Sequence, residues 1–313
     1  MSTVEANLAL RSPRQIAWMR LKRNKVAMIS AGVALFFVAI AFLAPVITKI
    51  LGVDNTTLYL DKLSQGQPKG AFGGVSLAHP FGIEPGAGRD LMALLLYGSR
   101  ISFSIALITS ITYVGIGLIL GITSAYVGGV LDSIIGRIAD FLLAFPTTFM
   151  FVALSVPLTM RVEATGIAKD NGARIVVMVI VLTIFSWPGF FRVVRSQVLS
   201  LREREFILAS QVLGASKRRI IFKELMPNLW PFAIIYLSIS LPGYLAAEAV
   251  FSFLGVGVQA PSTTWGLVLN DASSFWQRDP TYLAIPALMV ITVVLSLNLL
   301  GDGLRDALDP KAN

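Results

Sequence analysis

The chain has 313 residues, of which 55% are apolar and only 14% charged, with a formal net charge of +8 at pH 7. Soluble domains carry about 25% charged residues, so the composition excludes an ordinary soluble enzyme or a disordered tail. The lack of cysteine and the single histidine, His79, exclude disulfides, thiol catalysis, iron–sulfur clusters and any multi-histidine metal site.

Five stretches run for 20 residues or more without Asp, Glu, Lys or Arg: Met28–Thr48, Ile101–Leu131, Phe141–Met160, Leu225–Ala247 and Thr281–Gly301. A sixth, Ile175–Phe191, runs for 17. About 20 apolar residues cross a bilayer core as a helix. The pattern predicts an all-α polytopic membrane protein with six transmembrane helices.

Residues 1–26 form a cationic N-terminal segment carrying Arg11, Arg14, Arg20, Lys22, Arg23 and Lys25. Residues 27–48 form the first transmembrane helix. It reads as a retained span and not a cleaved signal, because the apolar run is long and continues past Pro45. Residues 49–100 form an external loop. Residues 101–303 form a five-helix core, which contains a cytoplasmic loop at 192–230, and residues 304–313 form a tail. Ala249–Asn270 is also uncharged, but Gly255, Gly257, Pro261 and Gly266 read as helix end, turn and loop, with a re-entrant segment as the alternative. With the N-terminus inside, 17 of the 26 Lys and Arg fall on the inner side and nine on the outer. This bias predicts that both termini are cytoplasmic.

The loop from Arg192 to Pro231 is long, basic and patterned. Phe206, Ile207, Ala209, Val212 and Leu213 recur at helical spacing, and Gly214 interrupts them. Ser216 reads as the N-cap of a second helix, Lys217–Leu225, which Pro227 stops. Small residues, Ala209, Ser210, Gly214 and Ala215, surround the corner, where another protein's surface could approach closely. The residues alone leave two readings of this loop open. One is a basic amphipathic surface on anionic lipid; the other is a docking element for a cytoplasmic partner. A DNA-reading helix–turn–helix is disfavoured, because the segment is pinned between two spans.

Glu248 is the only charge between Leu225 and Asn270. An ionised carboxylate at the membrane centre costs roughly 2.5–3.5 kcal/mol. Glu248 is therefore either a translocation-pathway residue or a structural carboxylate held by neighbouring helices. Asp140 reads as a helix-end partner of Arg137, three residues earlier. Ser186-Trp187-Pro188-Gly189 reads as a break in the fourth span. Gly115, Gly117 and Gly121 form a close-packing face. His79 reads as a solvated or capping side chain, and Arg89 and Asp90 as a local contact at a helix start. No Gly-x-x-x-x-Gly-Lys-Ser/Thr occurs, so the chain is expected to bind no ATP.

The loop resembles the EAA loop of ABC-transporter permeases. Ala209, Gly214 and Pro227 match that pattern, while Leu208 stands in place of the Glu and Ser210 in place of the second Ala. The stretch 79–107 is similar to the start of the core in the dipeptide/oligopeptide/nickel permease family, through His79, Pro80, Gly82, Gly88, Arg89, Asp90, Tyr97, Gly98, Arg100 and Ser102. Residues 248–266, 298–310 and 23–27 add further matches in the right order.

The resemblance implies a type I ABC importer permease-like fold. It also implies a function: half of the translocation pathway for di- or oligopeptides, with nickel or another small solute as alternatives. It implies a homologous second permease, two cytoplasmic ATPase subunits that hold ATP and Mg, and an extracytoplasmic substrate-binding protein. The chain itself would carry no cofactor, would not be an enzyme and would bind no nucleic acid, and it would sit in the bacterial inner membrane against lipid. Coupling to the ATPases would fall to Phe206, Leu208, Ala209, Ser210, Gly214 and Ala215, with Arg218 and Pro227. An ion-coupled secondary transporter working through Glu248 is the alternative from another class.

Overall fold

The computed structural model describes residues 13–308. Residues 1–12, including Arg11 of the cationic segment, and residues 309–313, including Lys311 of the tail, lie outside the described residues. The helices are α1 (Pro13–Arg23), α2 (Lys25–Leu51), α3 (Leu91–Val127), α4 (Gly129–Leu143), α5 (Thr147–Thr165) and α6 (Asp170–Leu201). They continue with α7 (Glu205–Val212), α8 (Lys217–Phe253), α9 (Trp265–Ser273) and α10 (Pro280–Leu308). The architecture is helical, as expected, and a short two-stranded antiparallel hairpin, β1 (Leu63–Ser64) and β2 (Gln67–Pro68), lies in the loop after α2.

Five helices, α2, α3, α6, α8 and α10, are long and apolar enough to cross a membrane. A sixth span results if α4 and α5 count together, but these two meet at 89°. That corrects the expectation of one helix over Phe141–Met160. Pro146 has no amide proton, and its ring excludes the helical conformation at Phe145. The helix therefore ends before the proline, and α5 restarts at Thr147.

Two other prolines were expected to break helices and do not. The α6 helix runs through Pro188, where Trp187, Phe190 and Phe191 are buried and hold the turn by packing. The α8 helix runs through Pro227, because residues Ile220–Leu225 form a π-helical segment. There the Met226 amide bonds Ile221, five residues back, and the Asn228 side chain donates to the Glu224 carbonyl at 2.6 Å. The backbone around the proline thus finds other partners.

The chain divides into two compact units, Met1–Ala106 with Leu241–Asn313, and Leu107–Ser240. In the first, Asn24 caps α2 by accepting from the Ala27 amide at 3.0 Å, and Gly52 ends it in the left-handed region. The α10 helix packs on α2 with Gly303 against Ala27, where a Cβ on the glycine would collide with the alanine methyl. Within lipid, such close approach of small residues is a main source of helix association. The core joins Phe37, Leu94, Leu95, Phe103, Leu245 and Trp265.

Helix α3 begins at Leu91, within the segment 49–100 expected to be the external loop. Asp90 caps it by accepting from the Ala93 amide at 2.7 Å. His79 is buried, with Nδ1 2.8 Å from Asp90 Oδ2, which corrects the solvated reading. Arg89 pairs with Glu84 through two bonds of 2.5 and 2.7 Å instead of with Asp90, and Tyr282 donates its hydroxyl to Glu84 at 3.2 Å. Earlier in the loop, Asp54 accepts from the backbone and hydroxyls of Thr56 and Thr57, led by Thr57, which holds its pKa down to about 2.

In the second unit, α3 meets α6 through Gly117 and Gly121. A Cβ on Gly117 would lie 2.9 Å from the Phe190 ring, and one on Gly121 2.7 Å from Val194. Gly115 faces open space and takes no part. The hydroxyls of Thr112 and Thr183 meet at 2.8 Å, and Tyr113 donates to the Tyr236 carbonyl at 3.0 Å.

Candidate functional site

The loop after α6 is built on two anchors. Asp132 of α4 takes Arg195 of α6 through two bonds of 2.7 and 2.6 Å, and also accepts from Ser124 at 2.5 Å. Asp140 pairs with Arg192 at 2.5 Å and not with Arg137. The expected partner three residues away on the same helix thus loses to one across the helix–helix contact. Beyond α6, Arg202 donates to the Ala125 carbonyl at 3.2 Å.

The α7 helix follows. Ile207 is fully buried and fixes the helix to its own unit. Phe206 and Leu208 on either side are exposed, and Val212 and Leu213 stand almost free, at 87% and 86% exposed. Such a pair at the end of a short helix is costly in water unless a partner covers it.

The helix ends in a pair of backbone hydrogen bonds. The Ala215 amide donates to Ser210 and the Gly214 amide to Gln211, both at 3.0 Å. Gly214 has φ +77°, the left-handed conformation that this ending requires. A Cβ there would meet nothing within 4 Å. The glycine is therefore needed for its backbone angle and not for a close contact within this chain. Ser216 then caps α8, accepting from the Arg219 amide at 3.3 Å.

Phe206, Leu208, Ala209, Ser210, Gly214 and Ala215 therefore lie together on α7 and its cap. Arg218 is exposed one turn further on. Pro227 is exposed on α8, roughly 15 Å along the helix from Lys217 at 1.5 Å per residue, and does not join the corner. A groove of about 620 Å³ beside α7 is lined by Tyr126, Arg202, Glu203, Leu208, Gln211 and Lys217. Val212 and Leu213 head the residues that reading by motif passed over. Their signal was present in the apolar spacing, but the motif match stops at the small residues.

Glu248 lies elsewhere, in the first unit, with no solvent exposure. Its carboxylate accepts from Ser102 of α3 at 2.5 Å and Ser252 of α8 at 2.7 Å, and Thr264 also bonds it. Trp265 closes the cluster, its indole N–H donating to the Leu95 carbonyl at 2.9 Å. Close packing completes it: a Cβ on Gly98 would lie 3.2 Å from Thr264, and one on Gly266 would collide with the Ala249 carbonyl. Among the described residues, no group of three or more His, Asp or Glu could hold a metal ion.

The sequence model of the binding-protein-dependent transport system inner membrane component matches residues 114–313, and the chain belongs to this family. It is a transport permease of the bacterial inner membrane, not a catalyst. The model of the N-terminal transmembrane domain of oligopeptide transport permease C matches residues 12–59. The dipeptide transport system permease protein DppC of Alkalihalophilus pseudofirmus is 34% identical, over 96% of this chain and 90% of that protein. The oligopeptide transport system permease protein OppC of Bacillus subtilis is 34% identical over 94% and 88%. The glutathione transport system permease protein GsiD of Pectobacterium atrosepticum is 33% identical over 97% and 93%. A chain of the inward-facing MetNI methionine ABC transporter shares the fold, with a TM-score of 0.52 at 20% identity, covering 70% of this chain and 98% of that one.

Proposed function

We propose that this chain is one of two homologous permease subunits of an ATP-driven importer of di- or oligopeptides. The dipeptide, oligopeptide and glutathione relatives support a peptide-like substrate over nickel. An external binding protein delivers the peptide. Two cytoplasmic ATPase subunits hold ATP and Mg, and this chain holds neither.

The observation that carries the coupling role is the exposed Val212–Leu213 tip, set on a helix anchored by Ile207 and ended by the left-handed Gly214. That tip seats in a groove of the ATPase subunit. Phe206, Leu208, Ala209 and Ser210 form its flank, Gly214 and Ala215 its corner, and Arg218 its charged edge. Pro227 serves the loop from further along α8. ATP-driven closure of the ATPases then pushes on the loop and alternates access to the pathway. Glu248 contributes to transport as a buried acceptor that holds α3, α8 and Thr264 together, a role its complete burial supports over direct contact with peptide.

The test is a pull-down of the tagged chain from gently solubilised native membranes, with partners identified by mass spectrometry. The reading requires a second permease and an ATPase subunit bearing a phosphate-binding loop. Recovery of this chain alone, from a preparation that keeps other membrane complexes intact, contradicts it.

A further inference from the structure

The α4 helix carries three distinct surfaces. Val130, Ile134, Ile138 and Phe141 are all exposed, and at about 100° per residue they fall within about 80° of one another. Ala139 and Asp132 point the opposite way, Ala139 fully buried and Asp132 bonded to Arg195 of α6. Between these faces lies a polar edge of Ser133, Arg137 and Asp140, all exposed.

The helix also turns 89° from α5, which follows it. At 19 residues α5 alone is long enough for a bilayer core. With α5 as the crossing part of the bent pair, α4 lies in the membrane plane. A helix in that plane with one apolar side and one polar side has the form of an interfacial helix.

Beside it, a cavity of about 380 Å³ opens between α4 and α6. Its wall includes Ser133, Arg137, Phe191, Arg192 and Arg195. The three arginines outnumber the two aspartates there, Asp132 and Asp140. Both oxygens of Asp132 are taken by Arg195. The Arg192–Asp140 pair is more than half exposed on both sides. Such a solvent-screened pair is weak, so Arg192 can be shared with an incoming anion. Arg137 forms no ion pair among the described residues. A basic pocket at the membrane surface, next to an apolar stripe, matches the two ends of one kind of molecule.

We infer that α4 is an interfacial helix that binds an anionic phospholipid. The phosphate sits in the cavity between Arg137 and Arg192, and the acyl chains lie along Val130–Phe141. Free phosphate shares the anion chemistry, but it leaves the apolar stripe uncovered. The inference does not depend on which solute is imported.

The chain has no cysteine, so single-cysteine spin labels can be placed directly on the full-length protein. Ile134→Cys, Phe141→Cys and Ser133→Cys are labelled and reconstituted in phosphatidylcholine vesicles containing phosphatidylglycerol. Collision with oxygen, which enters lipid, is compared with collision with a water-soluble nickel chelate. Labels at 134 and 141 favour oxygen, and the label at 133 favours nickel. Labels at 134 and 141 shielded from both reagents mean that protein covers the stripe, and nickel access there means that water does; either overturns the inference.

Lipid retention is read in parallel by native mass spectrometry. Arg137→Gln lowers bound phosphatidylglycerol about fivefold, and Arg137→Lys restores most of it. Unchanged retention in Arg137→Gln contradicts the site. Displacement of the lipid by millimolar inorganic phosphate assigns the cavity to a free anion and overturns the lipid assignment.

Discussion

The Ala215 amide reaches back to the Ser210 carbonyl at 3.0 Å, and together with the Gly214–Gln211 bond it turns the chain through Gly214 and leaves Leu213 outside. The corner depends on a residue that accepts φ +77°. A non-glycine residue in the left-handed region costs roughly 1–2 kcal/mol, and Asn tolerates it best. Gly214→Val is expected to reduce ATP-dependent peptide uptake by tenfold or more while the protein still reaches the membrane. Gly214→Asn is expected to retain most of it. Uptake and membrane abundance, measured on the same vesicles, check both variants.

Val212 and Leu213 make no apolar core of their own, so their polar variants separate docking from folding. Leu213→Asp is expected to leave the thermal unfolding midpoint within a degree or two. An apolar anchor at an interface typically carries 2 kcal/mol or more, so ATPase binding is expected to weaken roughly 30-fold. Ile207→Asp is the contrasting variant. Its side chain is fully buried, and it is expected to lower the midpoint itself. Melting and co-purification measured together distinguish the two outcomes.

The two ion pairs below the loop are expected to differ in strength. Asp132–Arg195 is bidentate and supported by Ser124, whereas Asp140–Arg192 is a single contact with both partners more than half exposed. Double-mutant cycles on thermal stability in detergent are expected to give a coupling of about 0.5–3 kcal/mol for the first pair. The second pair is expected to give about 0–1 kcal/mol. Equal couplings would show that geometry and exposure do not rank these contacts.

Asp271 offers a prediction about pH. Burial, and then the charge of Glu84, raises its pKa above the usual 3.8, against a smaller lowering by Arg89. A carboxylate whose folded pKa is raised destabilises the fold wherever it is ionised, and this cost disappears once the pH falls below the unfolded value. Asp271→Asn is expected to raise the melting midpoint at pH 7 and to lose that advantage as the pH falls through 4. A variant less stable than the native chain at pH 7 would contradict this.

The uncharged runs made most of the fold legible, because the cost of charge in lipid writes each span into composition. Turns inside those runs were less legible. Pro146, Pro188 and Pro227 carry the same local signal, yet only Pro146 ends a helix. At Pro188 the aromatic packing, which depends on Tyr113 and Tyr236 far along the chain, holds the turn. At Pro227 the π-helical segment supplies other backbone partners that residue type alone does not announce. Charge pairs failed in the same way. Arg192 outcompetes Arg137 for Asp140 because the α4–α6 contact, which is not written locally, brings it near. Glu84 outcompetes Asp90 for Arg89 because Asp90 is engaged by His79 and by the cap of α3. In the loop, the glycine and the Ser216 cap were readable from residue type, whereas the exposure of Val212 and Leu213 required the burial of Ile207 to be known first.

The cysteine-free sequence allows docking of the α7 tip on an ATPase subunit to be tested directly. Leu213→Cys, carrying a short photoactivatable crosslinker, is irradiated in native membranes, with Leu77→Cys on the expected external loop as the control. One crosslinked product is expected at position 213, formed with a nucleotide-binding ATPase subunit, and none with that subunit at position 77. A label at 213 that crosslinks only to lipid, or to no protein while the complex is intact, would contradict it.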